Sequence, residues 1–305
     1  MIDRRDTHTS HEPSAEQVAR EVFGHDVGTL ISSDPIARRG VDPEGVHRMR
    51  VASRHLRSEL RLLAPVLRGK AIEPLRTELR WLTGALGAAR DADVRSERSA
   101  GLLATIPDAS PAAVALRQSD RTARLHAHDA LITTLASKRY RTLIEKLSRL
   151  AIDPPLTKLG VVPARGIVTP GLRTMAARLD DLVVSLGPSP TTKALHGVRI
   201  AAKRLRYGAT VAMLFAGAEA DLAAECLGEL QDLLGEGRDA QMSIERLRHL
   251  GAGADPFEPT SREGGEVASM IEIERARIAQ ADERWPSAYS HARAHLVTLG
   301  WLATE

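Results

Sequence analysis

Val46-His47-Arg48-Met49-Arg50-Val51-Ala52-Ser53-Arg54-His55-Leu56-Arg57 and Leu195-His196-Gly197-Val198-Arg199-Ile200-Ala201-Ala202-Lys203-Arg204-Leu205-Arg206 repeat one pattern at an offset of 149 residues. In each, a histidine is followed by cations three, seven and ten positions on. At about 100° per residue these four side chains fall within roughly 80° of one another on a helix. Leu56, Leu60, Leu63 and Leu67 lie about 130° round one way, and Val51, matched by Ile200, lies just beyond the stripe the other way. A cationic stripe bracketed by apolar positions is expected to line a groove and not to face open water. A second match follows in the same order, at an offset of 148: Leu79, Leu82, Leu86, Gly87, Arg90, Asp91 and Ala92 lie over Leu227, Leu230, Leu234, Gly235, Arg238, Asp239 and Ala240. Two motifs kept in order at nearly one offset indicate a duplicated helical bundle.

Helical periodicity extends outward from these motifs, with Ala, Leu, Arg and Glu throughout. Helices are expected at roughly 14–33, 43–68, 71–87, 91–105, 111–135 and 137–150, then 170–187, 190–216, 219–235, 238–250, 262–282 and 286–302. Asp42 before Pro43 reads as a helix start, a capping side chain preceding a proline in the first turn. The segment Ile152 to Thr169, with Asp153-Pro154-Pro155 and Val162-Pro163, reads as a linker. The expected organisation is therefore a disordered tail at 1–13, a first bundle at 14–152, a linker at 153–169 and a second bundle at 170–305.

Composition bounds the function. The 305 residues, 43% hydrophobic and 27% charged, suit a soluble globular chain with a sizeable core. The net charge is only +3, but the cations are six lysines and 36 arginines. The planar arginine fork matches phosphate oxygens, although a GC-rich genome produces the same bias without function. Asn is absent and aromatics are 3%, which removes adenine-reading amides and most base-stacking rings and weighs against nucleic acid. The single cysteine, Cys226, excludes an internal disulfide and a Cys-rich zinc site, and suits a reducing cytoplasm. The polar N-terminus lacks a secretory signal, and no apolar run reaches eighteen residues, so no membrane span is expected.

Cations stacked at i and i+4 repel by a few tenths of a kcal/mol per pair in water and by more in a recess. Either carboxylates on neighbouring helices neutralise the stripe or an anionic ligand does. The stripe, the Leu-Gly-x2-Arg-Asp motif and their repetition resemble the CHAD domain (conserved histidine α-helical domain), over nearly the whole chain from about residue 14. The resemblance implies an all-α fold of two four-helix-bundle-like halves, related by approximate two-fold symmetry around a basic cavity. It also implies binding of inorganic polyphosphate and targeting to polyphosphate granules. By motif position, His47, Arg50, Arg54, Arg57, His196, Arg199, Lys203 and Arg206 would line that cavity. Ser137-Lys138-Arg139-Tyr140 also resembles a basic segment of the family, whereas Trp285-Pro286-Ser287-Ala288-Tyr289 in the second half offers no basic equivalent.

Lys138, Arg139, Arg90 and Arg238 are thus further candidate anion contacts. For Arg90-Asp91 and Arg238-Asp239 a second reading stays open, in which Gly87 and Gly235 end one helix and the aspartates cap the next. His25-Asp26 and His128-Asp129 match the dipeptides of metal phosphohydrolases, but no further ligands stand nearby in sequence. His291 and His295 lack the glutamate of a zinc-protease helix, and Cys226 lies among apolar residues. Neither catalytic residues, nor a metal, nor a cofactor is therefore expected, and the oligomeric state is left open. Two alternatives to simple binding remain. One is an enzyme acting on polyphosphate through a stripe histidine, against which stands the lack of an acidic magnesium cluster. The other is general nucleic-acid binding.

Overall fold

Good helix formers and well-placed caps build nine α-helices and no strands among the residues described by the computed structural model, 12–108, 110–251 and 262–303. They are α1 (Ala15–Arg39), α2 (Pro43–Leu62), α3 (Gly69–Leu103), α4 (Pro111–Ala136), α5 (Lys138–Ile152), α6 (Ala164–Val184), α7 (Thr192–Ala216), α8 (Ala218–Gly251) and α9 (Arg262–Thr298). Short 3-10 turns span Ala64–Val66 and Lys158–Val161. Ser14 and Gln17 form a reciprocal capping box on α1. Asp42 caps α2 through the Glu44 N–H, with Pro43 in the first turn as the sequence predicts. Gly40 ends α1 in the left-handed region at φ 65°, where a side chain would be strained.

Several expected boundaries are not there. Helix α3 runs unbroken through Gly87, α8 through Gly235 and α9 through Pro286. One glycine in a helix interior costs only about 1 kcal/mol relative to alanine. The leucines flanking Gly87 and Gly235, among them Leu82, Leu86, Leu230 and Leu234, are buried, and each such side chain returns about 1.5–3 kcal/mol. Pro35, Pro74 and Pro170 also lie inside helices. An interior proline removes one backbone hydrogen bond, which burial of the surrounding helix can offset. Helix α6 accordingly starts at Ala164, not at 170, and the irregular connection shortens to 153–163. Of the expected tail, residues 1–11 lie outside the described residues, while Pro13 accepts the Ala164 N–H at 2.9 Å. The Ala15 N–H donates to Val162 at 2.8 Å, so α1 and α6 begin side by side.

Consecutive helices pack on one another from α1 to α4 and from α6 to α9, and α2 also packs against α7. A single apolar cluster takes in Leu56, Leu60 and Leu79 of the first half and Leu205, Leu227 and Leu230 of the second. The halves therefore share one core. The far ends of α3, α4, α8 and α9 form a smaller cluster around Leu102, Leu116, Leu247 and Met270. Between the clusters Arg98 of α3 crosses to the second half, donating to Glu274 of α9 at 2.7 Å and Glu236 of α8 at 3.0 Å.

Candidate functional site: a cationic groove

The packing of α2 on α7 brings the two stripes together. All eight residues are half-buried: His47, Arg50, Arg54 and Arg57 on α2, and His196, Arg199, Lys203 and Arg206 on α7. Burial, then Arg54, Arg199 and Arg50, push the Lys203 ammonium down to about 7. Burial lowers Arg57 too, helped by Arg80, Arg54, Arg76 and Arg204, and it lowers Arg50 with help from Arg54. Cations from both halves thus act on one another across the groove.

Neighbouring carboxylates answer only part of this charge. Of the eight, Arg50 has an acidic partner, Asp91 at 3.4 Å. Among the described residues, no carboxylate oxygen comes within 4.0 Å of the cationic groups of Arg54, Arg57, Arg199, Lys203 or Arg206. The Arg50 Nε is buried with no hydrogen-bond partner, and Arg199 Nε donates to the Gln231 carbonyl at 3.3 Å. His196 bonds Arg238 through Nε2 at 2.8 Å, and burial together with Arg238, Arg199 and Lys203 lowers its pKa.

The Leu-Gly-x2-Arg-Asp motifs form the floor of this site. A Cβ at Gly235 would stand 3.1 Å from Arg199 Nε and 3.2 Å from its Nη2. At Gly87 the Arg50 Nε would be 3.7 Å away, and at Gly228 the Arg206 Nη1 would be 3.2 Å away. Gly228 and Gly235 let Arg206 and Arg199 lie close across α8, and the helix-end reading of Gly87 and Gly235 is corrected because α3 and α8 run through them. The capping reading of Asp91 and Asp239 falls with it, because both lie within continuous helices. Asp91 holds Arg50, whereas Asp239 is raised by burial against the opposing pull of Arg199. Arg238 joins the site through His196, and Arg90 pairs with Glu97 at 3.2 Å.

The other expected contacts are placed differently. Arg139 is engaged by Glu78 in a two-pronged pair at 2.6 and 3.2 Å and lies 4.2 Å over the Trp81 ring, while Lys138 is exposed. Arg76, Arg80 and Arg204 were not expected, yet all three bear on Arg57. Arg76 and Arg80 are visible in sequence as an i,i+4 cation pair on α3, but only tertiary packing ties them to α2. A cleft of about 90 Å³ sits beside His196 and Arg238. A larger one, about 580 Å³, lies away from the stripes, between the start of α2, α3 and α4. His295 bonds Glu219 at 2.7 Å, and burial with Glu229 and Glu225 raises the Cys226 thiol, which stays protonated. Asp26, expected to lack further ligands, is joined by His55 and Glu59.

The family model described as the CHAD domain matches residues 21–248. Two curated relatives from Mycobacterium tuberculosis, the uncharacterized proteins MT2285 (strain CDC 1551 / Oshkosh) and Rv2226 (strain H37Rv), are each 30% identical over 242 residues, 77% of this chain. The aligned part is 46% of each relative, so the chain spans under half their length. Among solved structures, PptA from Streptomyces chartreusis superposes with a TM-score of 0.71 at 18% identity, covering 91% of this chain and 99% of that one. The CHAD domain from the plant Ricinus communis gives 0.69 at 21% identity, covering 93% of both chains. At these identities the two structures speak to fold alone.

Proposed function

We propose, from the premise that this chain belongs to the CHAD domain family, that the groove between α2 and α7 binds inorganic polyphosphate and performs no chemistry on it. The observation that carries this reading is the set of five cations, Arg54, Arg57, Arg199, Lys203 and Arg206, held together without a carboxylate partner among the described residues. Holding them so close in a half-buried groove is unfavourable: burial, then Arg54, Arg199 and Arg50, depress the Lys203 ammonium. A bound anion would offset that cost. Guanidinium groups bind phosphate oxygens through paired, charge-assisted hydrogen bonds. The ten-residue span of each stripe rises about 15 Å, enough to follow several consecutive phosphates. A linear phosphate chain is far thinner than a nucleic-acid duplex, so it can lie between two packed helices where a duplex cannot. Association with polyphosphate granules in the cytoplasm is the setting we propose for this binding. Among the described residues no helix is long and apolar enough to cross a membrane.

The test is binding of polyphosphate of graded length to the purified chain, in competition with duplex DNA at equal phosphate concentration. We expect preference for polyphosphate, a steep fall in affinity with salt from displaced counterions, and no phosphate release with added Mg²⁺ or Mn²⁺. Equal competition by DNA contradicts the ligand assignment, and phosphate release contradicts the non-catalytic one.

A further inference from the structure

On a different face of α2 from the stripe, Asp26 of α1 meets His55 and Glu59 of α2. One donor atom from each lies within 4.8 Å of the others, and His55 Nδ1 is 3.4 Å from Asp26 Oδ2. His55 and Glu59 are four residues apart, so one helix face presents both. The carboxylates are deeply buried, Asp26 at 4% exposure and Glu59 at 5%, and Glu59 Oε2 has no hydrogen-bond partner. His55 is oriented from the other side by Tyr207 of α7, edge-on at 4.6 Å between ring centroids. We infer that Asp26, His55 and Glu59 hold a divalent transition-metal cation of the Mn²⁺ to Zn²⁺ range through one imidazole nitrogen and two carboxylate oxygens.

Two buried carboxylates side by side are strongly unfavourable unless a cation or a proton lies between them. The fold itself does not need this arrangement. Helix α6 starts 149 residues after α1, the same offset that relates the stripes. At that offset Asp26, His55 and Glu59 become Met175, Arg204 and Gly208. There the helix pair packs through apolar atoms, a Cβ on Gly208 meeting Leu172 Cδ2 and standing 3.8 Å from Met175 Sδ. The polar triad is therefore an addition to the first half.

The donor set narrows the ion. One nitrogen and two oxygens without a thiolate suit borderline divalent ions, whereas Ca²⁺ takes about six to eight oxygens. Ligands about 2.0–2.1 Å from a tetrahedral ion stand about 3.4 Å apart, which is the spacing of His55 and Asp26. The Glu59 carboxylate, with its donor atom within 4.8 Å of both, completes the set. Such an ion would tie α1 to α2 and fix His55 against α7.

The test is titration of the chelator-treated full chain with Co²⁺, followed by displacement with Zn²⁺. One equivalent should bind with the visible spectrum of a nitrogen and oxygen site and raise the melting temperature. That equivalent should be lost in Glu59→Gln and in Asp26→Asn, and kept in His291→Ala. If the variants do not fold, Mn²⁺ added to the wild-type chain should selectively broaden the His55 ring resonances. No saturable binding, binding that survives Glu59→Gln, or a His55 ring untouched by Mn²⁺ would overturn the proposal and leave a shared proton as what holds the carboxyl pair.

Discussion

Arg54 of α2 is the charge that weighs most on Lys203 of α7: after burial itself, no group does more to push the lysine down to about 7. The two residues come from different halves of the chain, so the groove's electrostatics belong to neither half alone.

Near neutral pH the free Lys203 is therefore about half uncharged. A bound polyanion favours the ammonium, so binding should take up a proton above about pH 7, and affinity should fall as pH rises from there. His196, lowered by burial, Arg238, Arg199 and Lys203, extends the trend to lower pH. Calorimetry at pH 8 in buffers of differing ionisation enthalpy should show net proton uptake that is lost in Lys203→Met. Stability moves the opposite way. The folded pKa lies below the unfolded value of about 10.4, so folding releases a proton between the two. The penalty is present in full below about pH 7 and is relieved as pH rises towards 10.

Gly87 and Gly235 should respond differently to alanine. Either change favours the helix by about 0.5–1 kcal/mol. At Gly87 the new methyl meets Arg50 at an ordinary 3.7 Å, so Gly87→Ala should stabilise the fold and leave polyphosphate affinity unchanged. At Gly235 the 3.1 Å approach forces Arg199 aside, and Gly235→Ala should weaken binding several-fold. Thermal melts and binding isotherms on both variants check the contrast.

The all-helical fold and the two stripes are legible in the sequence because both rest on local periodicity. Asp42 and Pro43 start α2 where their capping chemistry says. Pro35, Pro170 and Pro286, and the glycines at 87 and 235, mislead for one reason: a local breaker is outweighed by leucines whose burial is a tertiary fact. The same limit hides Arg80 and Arg204, which matter only because α3 and α7 bring them to Arg57. It also hides Asp26 with His55 and Glu59, gathered from two helices.

The lock between the halves should be sensitive to Arg98, whose side chain is 12% exposed and whose partner Glu274 is fully buried. Removing the guanidinium leaves the buried Glu274 carboxylate with Arg277 alone, at 3.3 Å, in place of two arginines, and breaking a buried pair typically costs up to about 3–5 kcal/mol. Arg98→Ala should therefore lower the urea midpoint markedly. Arg98→Ala with Glu274→Met should recover much of the loss, since the under-paired buried charge is gone.

The most direct measurement of the central claim, that the two stripes form one anion site, is polyphosphate affinity and stoichiometry for Arg54→Ala, Lys203→Ala and the double variant. A shared groove predicts that each single change weakens binding at one high-affinity site per chain, and that the combined effect departs from the sum by about 0.5 kcal/mol or more. If each single change instead removes half of the sites and leaves the rest at wild-type affinity, the stripes act separately and the account is contradicted.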